Sequence, residues 1–190
     1  MTRKALQQHL ALILRIRREG AQKPPEGFTY YCAEDYVLDR GRLYDSNPLT
    51  SEERKIVLEV AGNRNYEQGA CFYNAQILTG MGSQQGFRYV EGFAVGHIIP
   101  VIHAWVTFNG KVIDLTWRVD KPCRKGRLGD RILGVIPAGH AYYGVEFDTV
   151  DVMERLFKTE IAGPLIDDWN DGWPLYRQPR INPPVLKESR

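Results

Sequence analysis

Cysteine is scarce in this chain of 190 residues: Cys32, Cys71 and Cys123 stand far apart, and no Cys-x-x-Cys pair occurs. That excludes a disulfide framework and a zinc knuckle as organising devices, and it suggests a reducing, cytoplasmic compartment. Long apolar runs are also missing. None approaches the roughly 18 to 20 residues that a membrane span needs, so no membrane partner is expected. The opening "MTRKALQQHLALILRIRREG" has a basic start and an apolar middle, but Gln7, Gln8 and His9 dilute it and Arg15 cuts it short. It reads as a surface helix ending near Gly20, not as a signal peptide. Nor is there an excess of one charge: 25 basic against 23 acidic side chains leave +2, which by itself points to no polyanionic partner. No internal repeat or low-complexity tract is visible.

The length suits one domain over residues 1–190. Helices over 1–62 lead, a core over about 63–160 follows, and a Pro-punctuated tail over about 161–190 is expected to drape the surface or to be partly disordered. "AQKPPEGF" is a connection, and Cys32 to Asn47 reads as irregular or short-stranded chain. In "LTSEERKIVLEVAGN", Thr50 can cap a helix while Glu53 bonds back to the cap amide. "YEQGACFYNAQILTGMG" places Gly69 in a loop, Cys71 in the first turn of a helix and Gly80 at its end. "FRYVEGFAV", "VIHAWVTF", "KVIDLTW", "RILGVIP" and "AYYGVEF" have the β-branched and aromatic content of strands, with Pro100 marking a strand start or bulge. "DTVDVMERLFKTE" is a further helix with Asp148 or Thr149 as its cap. The fold class is therefore α+β with a mostly antiparallel sheet.

The most informative stretch is "IHAWVTFNGKVIDLTW". Asn109 and Gly110 fit the two central positions of a type I′ turn, which fixes the register of the arms: Phe108 opposite Lys111, Val106 opposite Ile113, Trp105 opposite Asp114, His103 opposite Thr116. Alternation then puts His103, Trp105, Asp114 and Thr116 on one face, with His103 and Asp114 as diagonal neighbours within reach of a hydrogen bond. A carboxylate on one ring nitrogen orients an imidazole and leaves the other nitrogen for a nucleophile. Cys71 is the candidate, because the first turn of a helix exposes its sulfur to the positive end of the helix dipole, where a thiolate is favoured. Backbone amides there would form half of an oxyanion hole, and Gln68 or Asn65 is a candidate for the other half. Trp105 and Thr116 are expected to pack and orient. His97 would share the face of His103 in an unbroken strand, but Pro100 interrupts that register, so no metal is expected.

Taken together, "GACFYNA", "YVEGFA" and "HAWVTFNGKVIDLTW" resemble the core of the transglutaminase-like superfamily of papain-fold cysteine enzymes, over about residues 66 to 117. The resemblance implies a central helix packed on an antiparallel sheet, a Cys71, His103 and Asp114 triad, and thioester chemistry at Cys71. It covers peptidases, deamidating and amide-cleaving enzymes, and acyltransferases alike. The residues before Cys71 are Glu67, Gln68, Gly69 and Ala70, not the Arg-Gly-Gly of an arylamine N-acetyltransferase, so acetyl-CoA is not implied, and no calcium or other cofactor is expected. The expected reaction is hydrolysis of an amide bond in a peptide, protein or other amide-containing substrate, with transfer to an amine as the alternative on the same triad. A different class, a binding module, is suggested by "RVDKPCRKGRLGDR". Here Arg118, Lys121, Arg124, Lys125, Arg127 and Arg131 face only Asp120 and Asp130, a local excess of about +4 that nucleic acid or an acidic protein could use. Arg124, Lys125 and Arg127 are the candidate contacts to an acidic substrate if this stretch borders the cleft.

Overall fold

The structure, a computed structural model, describes residues 3–21, 23–96, 99–118 and 131–181. Helix α1 (Arg3–Ala21) buries Leu6, Leu10 and Leu14, a stripe at every fourth residue, leaves Arg15 and Arg17 to solvent, and pairs the half-buried Arg18 with Asp35. Helix α2 (Ala33–Arg40) replaces the irregular chain expected after Cys32. Its Tyr36 and Val37 point inward as an amphipathic pattern requires, but so do Asp35 and Asp39. Asp35 accepts from the amide of Tyr31 and pairs with Arg180, and Asp39 accepts from the Tyr30 hydroxyl and the Ile181 amide. Carboxylates on the inward face erase the apolar period on which a sequence reading depends.

A short strand β1 (Arg42–Leu43) precedes α3 (Ser51–Ala61), which starts with the Thr50 and Glu53 capping box. Helix α4 runs Cys71–Met81. It continues through Gly80, which was expected to end it, and stops at Gly82; a Cβ on Gly80 would stand 2.8 Å from the Met153 sulfur, so this glycine admits a neighbouring helix. Strands β2 (Arg88–Val95), β3 (Val101–Phe108), β4 (Lys111–Arg118), β5 (Arg131–Leu133) and β6 (Ala141–Phe147) follow, then α5 (Thr149–Thr159) with Asp148 as its cap. The six strands lie in the order β1-β6-β2-β3-β4-β5, antiparallel in every pair. The class is α+β.

One face of the sheet carries the helices. Cys71, Ala75 and Leu78 of α4 pack with Tyr89, Ala104, Val106, Ile113 and Leu115, while α1, α2 and residues 161–181 cover Phe93, Tyr143 and Val145. The other face gathers Tyr44, Val90, Ala94, Trp105, Val112, Ile132 and Tyr142. The tail expected to drape the surface instead forms part of the core as far as it is described: Leu165, Ile166 and Tyr176 are buried. Among the described residues no helix is long and apolar enough to cross a membrane.

Candidate active site

The hairpin register holds from the turn as far as Val106 opposite Ile113 and then stops. The expected pairs of Trp105 with Asp114 and of His103 with Thr116 do not form. Asp114 itself is the reason: its Oδ1 accepts from the amides of Thr116 (2.8 Å) and Trp117 (3.1 Å), turning those groups away from β3, and the β4 register against β5 shifts over the same residues. Beyond the last pair, Asn74, Ala75 and Leu78 of α4 face the gap with Trp105, Asp114 and Thr116. A helix packed on one face of the sheet thus gains access to side chains that point to the other.

Through that gap the structure brings Cys71, His103 and Asp114 together. His103 Nε2 lies 2.7 Å from Asp114 Oδ2. Cys71 lies beside the same imidazole, close enough to contribute to its raised pKa, and Nδ1 is the ring nitrogen that Asp114 leaves over. The three residues are 8%, 2% and 1% exposed in chain order. Burial alone would lower the pKa of His103, but the charge and hydrogen bond of Asp114, with a smaller contribution from Cys71, raise it to about 9. For Asp114, burial is likewise outweighed, by His103 and by the Trp117 and Thr116 amides, and its carboxyl is held below the usual carboxylate range. Both shifts favour an imidazolium and carboxylate pair.

The approach to Cys71 is fixed in three ways. Gly69, at φ +89°, takes a left-handed conformation suited to glycine. Asn74 Nδ2 donates to the carbonyl of Glu67 (2.8 Å) and to Thr116 Oγ1 (3.0 Å), so it ties the loop before Cys71 to the strand of Asp114. The Arg131 guanidinium does the same by donating to the carbonyls of Tyr66 and Thr116, each at 2.8 Å. Arg131 is buried; it had been counted with the basic stretch as a possible partner contact, and the structure gives it this internal role instead. No side chain caps α4.

Aromatic rings enclose the imidazole. Trp117 stacks on it at 4.3 Å and 19°, Trp105 lies at 6.2 Å and 22°, and the Tyr142 hydroxyl donates to Asp114 Oδ2 at 2.9 Å. Trp105 is buried beside the ring, and Thr116 Oγ1 accepts from Asn74. Asn74, Trp117, Arg131 and Tyr142 were not assigned to the site from sequence. Strict alternation puts Trp117 and Asp114 on opposite faces, and only the irregularity in β4 reverses this. Tyr142 comes from a strand far along the chain and carries no local signal.

Gln68 and Asn65 are both exposed. Asn65 lines a recess with Arg64, Tyr66, Tyr73, Asn74 and Ile77 that includes neither Cys71 nor His103. His97, Cys123, Arg124, Lys125 and Arg127 lie outside the described residues. Cys32 is a free, buried thiol pushed up to about 12 by burial and then by the charge of Glu34, which leaves it inert as a nucleophile. A cavity of about 700 Å³ opens between β6, α5 and residues 161–178, and no triad residue lines it. Among the described residues no cluster of His, Cys, Asp or Glu is arranged to hold a metal ion. Comparison of the chain with protein-family models, curated proteins and solved structures finds no match.

Proposed function

We propose that this protein is a cysteine-dependent acyl-transfer enzyme with a transglutaminase-like, papain-type core, and that it hydrolyses an amide bond. The observation that carries the reading is the imidazole held between Asp114 on Nε2 and Cys71 at an uncapped helix start. Helices α3 and α5 are closed by Thr50 and Asp148, whereas α2, like α4, starts without a side-chain cap. An N-terminus without a side-chain cap leaves first-turn amides for a ligand, which suits an oxyanion.

In this mechanism the Cys71 thiolate attacks the amide carbonyl and the oxyanion develops beside the Cys71 amide. His103 Nδ1 gives its proton to the leaving amine, the C–N bond breaks, and a thioester remains on Cys71. Water then attacks the thioester while neutral His103 takes its proton; the C–S bond breaks and the acid departs. Transfer to an amine uses the same first half.

Iodoacetamide labelling read by mass spectrometry tests the nucleophile, and p-nitrophenyl acetate tests turnover. Cys71 should be alkylated faster than Cys32 or Cys123, Cys71→Ala should abolish ester turnover with the fold intact, and His103→Ala should lower turnover by about 10²- to 10⁴-fold. Equal labelling of Cys71 and Cys32, with turnover surviving Cys71→Ala, would overturn the proposal.

A further inference from the structure

The Asp114 carboxylate has all its hydrogen bonding settled by protein groups. Oδ1 accepts two backbone amides, and Oδ2 accepts His103 Nε2 and the Tyr142 hydroxyl. The second donor on Oδ2 is not a by-product of sheet pairing. Strands β2 and β3 stand between β6, which carries Tyr142, and β4, which carries Asp114; on a flat sheet three strand spacings amount to about 14 Å, beyond what a tyrosine and an aspartate can bridge. The sheet must curl for the two to meet, and the directly paired Gly92 and Gly144 lie where it does. A Cβ on Gly92 would stand 2.3 Å from the Tyr143 carbonyl oxygen, and one on Gly144 would stand 2.6 Å from the Trp105 ring.

We infer that Tyr142 is a positioning residue which shares Asp114 Oδ2 with His103 and thereby limits the basicity of the imidazole, so that His103 can serve as the base of the second half-reaction. This rests on the acyl-transfer reading. In the first half-reaction a protonated His103 is required, and a strong carboxylate partner helps. In the second, Cys71 is a neutral thioester, water needs a base, and an imidazole pressed too far toward its charged form would not supply one. The phenol moderates the carboxylate by placing the positive end of its O–H dipole on the oxygen that faces the ring. Burial and the adjacent Asp114 raise the Tyr142 phenol well above its ordinary 10.0, so it stays a donor. Among the described residues the other ionisable groups around the pair are Cys71 from α4, His140 behind Trp117, and Arg131, whose guanidinium sits on the Thr116 carbonyl.

The test uses Tyr142→Phe, which keeps the ring. In the Cys71→Ala background, where the thiol does not contribute, NMR titration of His103 should show its midpoint raised by about half to one pH unit when the hydroxyl is removed. Incorporating 3-fluorotyrosine at position 142, a stronger donor of the same shape, should move the midpoint down and covers the case in which the phenylalanine variant does not fold. In the protein with Cys71 present, the burst of nitrophenolate from p-nitrophenyl acetate should persist in Tyr142→Phe, while the steady rate after it falls about 3- to 10-fold near pH 7 and recovers at higher pH. An unmoved His103 midpoint in both variants would overturn the inference. So would equal loss of burst and steady rate, which would mark Tyr142 as a packing residue. Absence of any burst in the unmodified protein would instead count against the acyl-transfer reading, with the titration still deciding whether Tyr142 tunes His103.

Discussion

Glu91 is fully buried in a central strand, and its hydrogen-bond donors are neutral. Tyr89 donates its hydroxyl at 2.8 Å and the amides of Leu165 and Ile166 donate at 2.7 and 2.9 Å. Burial raises its pKa to about 7 against the pull of those donors. The folded state therefore holds the Glu91 proton more tightly than the unfolded state, and the resulting stability is complete below about 4.5 and is lost as pH rises through 7. His103, raised to about 9, loses its contribution in the same direction but over a higher window, from about 6.5 upward. Glu91→Gln keeps the shape and removes the pH-dependent loss due to Glu91, at a pH-independent cost because the new amide nitrogen must face one of the backbone amides that now donate to Oε1 and Oε2. Melting temperatures of the two proteins at pH 5 and pH 8 should thus shift in favour of Glu91→Gln at the higher pH. Parallel behaviour at both values would mean that Glu91 does not titrate in the folded protein.

Elements whose pattern is local were legible in the sequence. The capping box of α3, the helix start at Cys71 and the Asn109–Gly110 turn each depend on residues within a few positions of one another, and the structure has all three. Where tertiary partners decide, the pattern misleads: α2 buries two carboxylates, and β4 breaks its alternation at Asp114. The site follows the same division. Cys71, His103 and Asp114 carry sequence signals, whereas Asn74, Arg131 and Tyr142 gain their places from how strands and helix meet. The curl that delivers Tyr142 can be tested through Gly92, whose missing Cβ would meet backbone atoms of β6 that cannot rotate away. Gly92→Ala should cost about 1–3 kcal/mol or more by urea denaturation, and it should weaken the shielding of His103 in the same protein. Full stability would show that β6 can stand back from β2, and the argument for an enforced curl would fail.

At the scale of the molecule, residues 161–181 act as a strap across elements that the chain makes far apart. Gly163 accepts from Gln76 on the Cys71 helix, Leu165 and Ile166 bond Glu91 on β2, and Asp168 pairs with Arg155 on α5. Farther on, the Tyr176 carbonyl accepts from the amides of Thr29 and Tyr30, Arg180 pairs with Asp35, and the Ile181 amide reaches Asp39. The strap is therefore common to the α4 and α5 side of the sheet and to the α1 and α2 side. Burying Leu165, Ile166 and Tyr176 contributes about 1.5–3 kcal/mol each, which is a large share of the roughly 5–15 kcal/mol that holds a domain folded. Losing it also leaves Glu91 with two donors fewer. A chain ending after Glu160 should accordingly show no cooperative urea transition, in contrast to the full chain. Because Gln76 lies on the helix that starts at Cys71, the shorter chain should also lose the preference of iodoacetamide for Cys71 over Cys32. If the chain ending at 160 unfolds cooperatively near the midpoint of the full protein, the strap is only laid over a core that stands without it.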